Sequence, residues 1–159
     1  MDSALMPSWI KERKAKDDAT RARADKADNE TLRAEMLVRE EGPRWFRQLV
    51  TELTINTESL PEIGLCGSST RQSGQSREEI WRVSVSLRSV FPRMTHTDVI
   101  YIPGSSVIRC HTAEGKEFPL QLCLNPSGSG MSVLIEDSSY TAQEAAEFIV
   151  RTTVARVGG

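Results

Sequence analysis

The chain has 159 residues, enough for one domain of ordinary size and an extension. Hydrophobic residues make up 38%, and 20 basic against 22 acidic side chains leave a formal net charge of −2. That balance excludes the long-range positive field by which nucleic-acid-binding proteins gather phosphate, and no apolar run approaches the roughly 20 residues of a membrane-spanning helix.

The opening MDSALMPSWIKERK is apolar too briefly for a secretory signal, and Asp2 stands where myristoylation requires glycine. Cys66, Cys110 and Cys123 lack CxxC spacing and are odd in number. Free thiols in a reducing, cytoplasmic setting are expected.

Ser8 is placed to cap a helix that starts near Trp9 and runs to Glu41, where Gly42-Pro43 is expected to end it. Its roughly 34 residues would span about 50 Å. Residues 11–31, KERKAKDDATRARADKADNET, contain no large apolar side chain. Glu12 with Lys16, Asp17 with Arg21 and Glu35 with Arg39 form i,i+4 pairs in the favourable order. Ala15, Ala19 and Ala22 follow one 4,3 step; Ala27, Thr31, Ala34 and Val38 follow another, out of phase with it. A solvated arm is expected rather than a strong coiled coil. Partner contacts should concentrate at its ends, at Met6, Trp9 and Ile10 and at Leu32, Met36, Leu37 and Val38.

A second helix is expected after Pro43, with Phe46, Leu49, Val50 and Leu53 on one face and Pro61 as its stop. These elements make residues 1–62 a helical region. Residues 63–77, including GLCGSSTRQSGQS, read as a Gly/Ser-rich linker or loop. Residues 78–159 then hold an antiparallel sheet and a C-terminal helix.

Within IWRVSVSLR, Trp81, Val83, Val85 and Leu87 share one face and Arg82, Ser84, Ser86 and Arg88 the other. VIYI, SVIRCHT, FPLQLCL and MSVLIED follow, giving a meander of about five strands. A three-residue loop at Ala113-Glu114-Gly115 sets Cys110 against Phe118 and Ile108 against Leu120, collecting the apolar residues on one face. Cys123 then points away from Cys110, so no disulfide joins them. The last helix is expected from Ala142 to Val157, opened by a Thr141/Glu144 capping box, closed at Gly158-Gly159 and packed on the sheet. The fold class is α+β.

No G-x-S-x-G, Walker or H-E-x-x-H pattern occurs. If Pro103-Gly104 closes a two-residue hairpin, Asp98 opposes Arg109 and His96 opposes His111. Glu117, Arg82 and Arg88 would join this polar sheet face, the sequence's one candidate ligand site. Charged residues on the wet face of an antiparallel sheet are also its ordinary finish. Neither a cofactor nor a metal is expected. Asn125-Pro126-Ser127-Gly128-Ser129-Gly130 resembles the N-x-S-x-x-G half of PilZ domains, which bind cyclic di-GMP. That family's R-x-x-x-R half has no counterpart here, and the segment reads as a hairpin loop.

These features favour a non-enzymatic interaction or oligomerisation module, adaptor-like, with another protein or a second copy as partner. One alternative is a small-ligand sensor or enzyme using the polar sheet face. Another is a chaperone-like binder that pairs a client peptide with a sheet edge. Nucleic acid is not an expected partner.

Overall fold

The computed structural model describes residues 6–73, 77–88, 93–125 and 130–157. The expected loop at 126–129 and the Gly158-Gly159 stop lie outside the described residues. The chain divides into two compact units, Met1–Met36 and Leu37–Gly159. Helix α1, Ser8–Glu58, contributes to both.

In the first unit, the Pro7 carbonyl accepts the amides of Ile10 and Lys11 at 3.1 and 3.2 Å. Ser8 therefore lies in the first turn instead of capping it. No side chain from Ser8 to Met36 is buried. The segment is helical through good helix formers and local pairs such as Arg13–Asp17 at 3.8 Å.

The expected break at Gly42-Pro43 does not occur: Pro43 lies inside α1. A proline in a helix interior costs about 3 kcal/mol, through one lost hydrogen bond and a crowded carbonyl. Against this, α1 buries Val38 and Gly42 before the proline and Trp45, Phe46, Leu49 and Leu53 after it. Each large apolar side chain among them contributes about 1.5–3 kcal/mol, so continuity wins. Gly42 serves close packing here: a Cβ at this position would lie 2.6 Å from the Tyr101 hydroxyl. Tyr101 stacks on Phe46 with ring centroids 4.8 Å apart.

A 3-10 turn, Leu60–Ile63, leads into a seven-stranded antiparallel meander. The strands, neighbours in chain order, are β1 Leu65–Gln72, β2 Glu79–Leu87, β3 Met94–Tyr101, β4 Val107–Thr112, β5 Glu117–Leu124, β6 Met131–Ile135 and β7 Ser138–Tyr140. Two of the seven lie outside the expected five. β1 occupies the expected linker and pairs with β2 from Leu65↔Leu87 to Gln72↔Ile80. Its polar residues suit an edge strand, and Thr57 bonds Ser69 at 3.1 Å. β7 returns from β6 through Glu136 and Asp137, both at positive φ (48° and 67°). That is the backbone of a tight type I′ hairpin without its usual Asn-Gly.

The β4–β5 register is the expected one, with Cys110↔Phe118 and Ile108↔Leu120. Gly115 supplies the left-handed position at φ 85°, and the Thr112 amide donates to the Lys116 carbonyl at 2.8 Å. The β3–β4 register differs from expectation by two residues: Asp98 pairs with His111, and Arg109 with Ile100. Pro103-Gly104 forms a turn closed by Ser105 N–H to Ile102 O at 2.9 Å, but within a longer connection between Tyr101 and Val107. A shift of two keeps every side chain on its face and changes only its cross-strand neighbour.

One face of the sheet carries Val83, Val85, Val99, Ile108, Leu120 and Val133, all at most 1% exposed. Helix α2, Ala142–Val157, packs on it, burying Ala145, Ala146, Ile149, Val150 and Thr153. The capping box forms as expected, with Thr141 N–H to Glu144 Oε1 at 3.1 Å and Glu144 N–H to Thr141 Oγ1 at 3.2 Å. Thr141→Ala is expected to lower the unfolding free energy by about 1 kcal/mol, as read by urea titration.

Candidate functional site

The opposite face of the sheet is the wet one, and β2 to β5 bring most of the expected polar residues onto it. Arg82 grips Asp98 with two hydrogen bonds, Nε to Oδ1 at 2.8 Å and Nη2 to Oδ2 at 3.1 Å. The two residues are cross-strand partners, so the pair comes from register rather than from long side-chain reach. The Asp98 hydrogen bond holds the Arg82 guanidinium above its already high ordinary pKa. His96 Nε2 lies 4.0 Å from Asp98 Oδ2, and His111 Nε2 lies 3.2 Å from Glu117 Oε1. The His111 contact has ion-pair distance without hydrogen-bond alignment.

Two expected members do not join these pairs. Arg109 meets Glu78 Oε1 at 3.3 Å instead of Asp98, following the two-residue shift in register. Arg88 lies beyond the end of β2 and is exposed. Arg82 and Asp98 neutralise one another across strands, and the paired groups of this face keep between 20% and 46% of their side-chain surface in water. A cross-strand pair of this kind contributes roughly 0.2–1 kcal/mol. Among the described residues, no group of three His, Cys, Asp or Glu side chains is placed to hold a metal ion.

A concavity of about 700 Å³ lies away from this face, in the second unit between α1, the β5–β6 end of the sheet and the start of α2. Its floor includes Leu37, Trp45, Leu124 and Met131, with Glu41 and Arg44 of opposite sign beside them.

The expected partner-contact residues divide sharply. Trp9, Leu32 and Met36 are 68%, 56% and 59% exposed. Met6, Ile10 and Leu37 are half-buried. Val38 is not available to a partner, because it is 6% exposed and belongs to the hydrophobic core of the second unit. Its place in the 27, 31, 34, 38 step is the point where the helix face begins to serve the sheet.

One polar network escaped the sequence reading. Thr97 and Thr153 share a buried hydrogen bond of 2.8 Å between β3 and α2. Arg156 Nη2 donates to Thr97 Oγ1 and to the His96 carbonyl, and its Nε lies 3.3 Å from Glu114 Oε2. The β4–β5 loop is thereby tied to the end of α2. Nothing local in the sequence marks this network, since its members come from three separate elements.

Glu114 has a depressed pKa, chiefly through its own backbone amide, with Arg156, Thr112 and Thr95 also favouring the carboxylate. Its stabilisation is therefore fully present above the unfolded value of about 4.3 and is lost as pH falls through the lower folded value. The stability difference between wild type and Glu114→Gln is expected to shrink as urea titrations move from neutral pH to below about 4. The Cys110 thiol is fully enclosed, and burial pushes its pKa up, which makes it inert as a nucleophile. Cys66 is exposed and Cys123 half-buried, and all three are free thiols.

No family model matches this chain, and no curated protein or solved structure shows significant similarity to it. No helix among the described residues is long and apolar enough to cross a membrane.

Proposed function

We propose that this protein is a non-enzymatic interaction module, adaptor-like, whose N-terminal unit makes the contact. The carrying observation is the absence of any buried side chain between Ser8 and Met36, together with the exposure of Trp9, Leu32 and Met36. Most helical stability in proteins comes from packing an apolar face, and this segment buries none. A partner that covers its ends would supply what propensity alone does not. The cytoplasmic setting belongs to the same proposal and is supported by the three free cysteines.

The polar sheet face gives less support to a ligand-binding or enzymatic reading. Arg82 and Asp98 neutralise one another there, and the concavity beside Leu37, Trp45, Leu124 and Met131 lies elsewhere. The chaperone-like alternative draws on β1 as an edge strand, yet Leu65, the large apolar residue of that strand, is only 8% exposed.

The test is mass in solution across a wide concentration range, combined with capture of cellular partners by the full chain and by a chain beginning at Leu37. Self-association or partner capture that disappears with residues 1–36 is the expected result. A concentration-independent monomer whose shortened form retains every partner would sink the proposal.

A further inference from the structure

The two edges of the sheet are finished differently. β7 is three residues long and follows the charged pair Glu136-Asp137, so it offers little to pair with. β1 is eight residues long and pairs with β2 in unbroken register from Leu65 to Gln72. It has no proline, no lysine and no bulge, and Arg71 is its one charge. Alternate residues of such a strand turn their N–H and C=O groups away from the neighbouring strand. Among the described residues, no strand lies beyond β1 and no backbone bond reaches it from that side. Cys66, Ser68 and Thr70 are exposed on the wet face, so the edge is approachable from there. The partner that matches such a row of donors and acceptors is another extended backbone.

Two further observations narrow the occupant. The end of α1 lies against the middle of β1: Thr57 Oγ1 is 3.1 Å from Ser69 Oγ, and Leu60 rests on Gly67. If β1 paired about its middle with the β1 of a second copy, the two helix ends would be drawn about as close as the strands, roughly 5 Å. Packed helices need roughly 8–10 Å. Self-pairing is therefore blocked, whereas a strand with no helix above it is admitted. Glu62, just before β1, and Arg71, near its end, are exposed, and neither has an ion-pair partner among the described residues. We propose that the outer edge of β1 receives an extended segment of another protein, running antiparallel. The segment is acidic where it meets Arg71, basic where it meets Glu62, and small where it passes the end of α1 opposite Gly67 and Ser69. Leu65 is 8% exposed, so recognition runs through backbone and charge rather than through an apolar client. This is a second contact of the proposed interaction module, on a surface apart from residues 8–36.

The probe is the peptide Thr-Glu-Val-Ala-Val-Ala-Thr-Lys. Laid antiparallel, it sets glutamate opposite Arg71, alanines opposite Ser69 and Gly67, and lysine opposite Leu65, beside Glu62. Fluorescence anisotropy of the labelled peptide, titrated with the full chain, reads binding, and hydrogen exchange locates it. Slower exchange centred on residues 65–72 is expected. A peptide with its glutamate and lysine exchanged is expected to bind at least about fivefold more weakly, and Glu62→Lys with Arg71→Glu is expected to reverse that preference. Two more peptides are N-methylated at alternate positions. One set of methyl groups removes the bonds to β1 and should abolish binding, while the other faces solvent and should leave it intact. Equal binding by these two peptides, protection centred elsewhere, or a preference unmoved by the charge reversal overturns the proposal. So does a probe that fails to bind. None of these results decides the contact proposed for residues 8–36, which is read separately by partner capture with and without residues 1–36.

Discussion

Phe46→Ala is expected to cost about 3–5 kcal/mol of folding stability, whereas Leu32→Ala should change it by no more than about 0.5 kcal/mol. Both residues lie on α1, and both are large and apolar. Phe46 is 1% exposed and stacks on Tyr101, so its removal leaves a cavity between helix and sheet. Leu32 is 56% exposed and forms no part of the core. Urea titrations of the two variants at a concentration too low for self-association would measure the contrast. Equal costs would mean that the two units of the chain do not divide its stability as their burial implies. At high concentration Leu32→Ala acquires a second effect, weaker self-association, because its expected role is at an interface rather than in a core.

Gly42→Ala is expected to destabilise by about 1–3 kcal/mol, although alanine is the better helix former by up to about 1 kcal/mol. The sign follows from the Tyr101 hydroxyl, which would stand 2.6 Å from the new Cβ. Tyr101 is 0% exposed and held against Phe46, so its ring has little room to yield. Burial raises its phenol pKa, partly opposed by the Gly104 backbone, and its oxygen makes no aligned hydrogen bond among the described residues. Tyr101→Phe should therefore be close to neutral by itself, since it removes an oxygen that is enclosed but poorly paired. It should also relieve most of the cost of Gly42→Ala. The double-mutant cycle reads this coupling, and additive costs would show that the glycine serves something other than the approach of Tyr101.

The α+β class, the antiparallel meander, α2 and the β4–β5 register were legible because each has a local signal. Alternating residues mark the strands, Thr141 and Glu144 mark the helix start, and Gly115 marks the left-handed loop position. Three elements gave misleading local signals. Gly42-Pro43 reads as a break, but the sheet packs against α1 on both sides of it. Leu65 to Gln72 falls in a segment with the composition of a linker, yet eight residues of pairing with β2 make it a strand. Glu136-Asp137 lacks the glycine or asparagine of a favoured hairpin turn, so β7 went unseen.

The candidate site was legible in part. The alternation that placed Arg82, His96, Asp98, His111 and Glu117 on one face is a local property and survives an even shift of register. Their pairing is not local, because it depends on the length of the Tyr101–Val107 connection. That is why Asp98 stands opposite His111, and not opposite Arg109, while Arg109 meets Glu78. The Thr97–Thr153–Arg156–Glu114 network depends on how α2 lies over the sheet, which no local pattern states.

The most direct test of the account compares the full chain with residues 37–159 by sedimentation and thermal unfolding. The account predicts that the shortened chain unfolds cooperatively at nearly the wild-type temperature in dilute solution and stays monomeric as concentration rises. The full chain should form a dimer over the same range. A shortened chain that dimerises as tightly as the full one would contradict the account, because association would then belong to the sheet unit and not to the exposed helix.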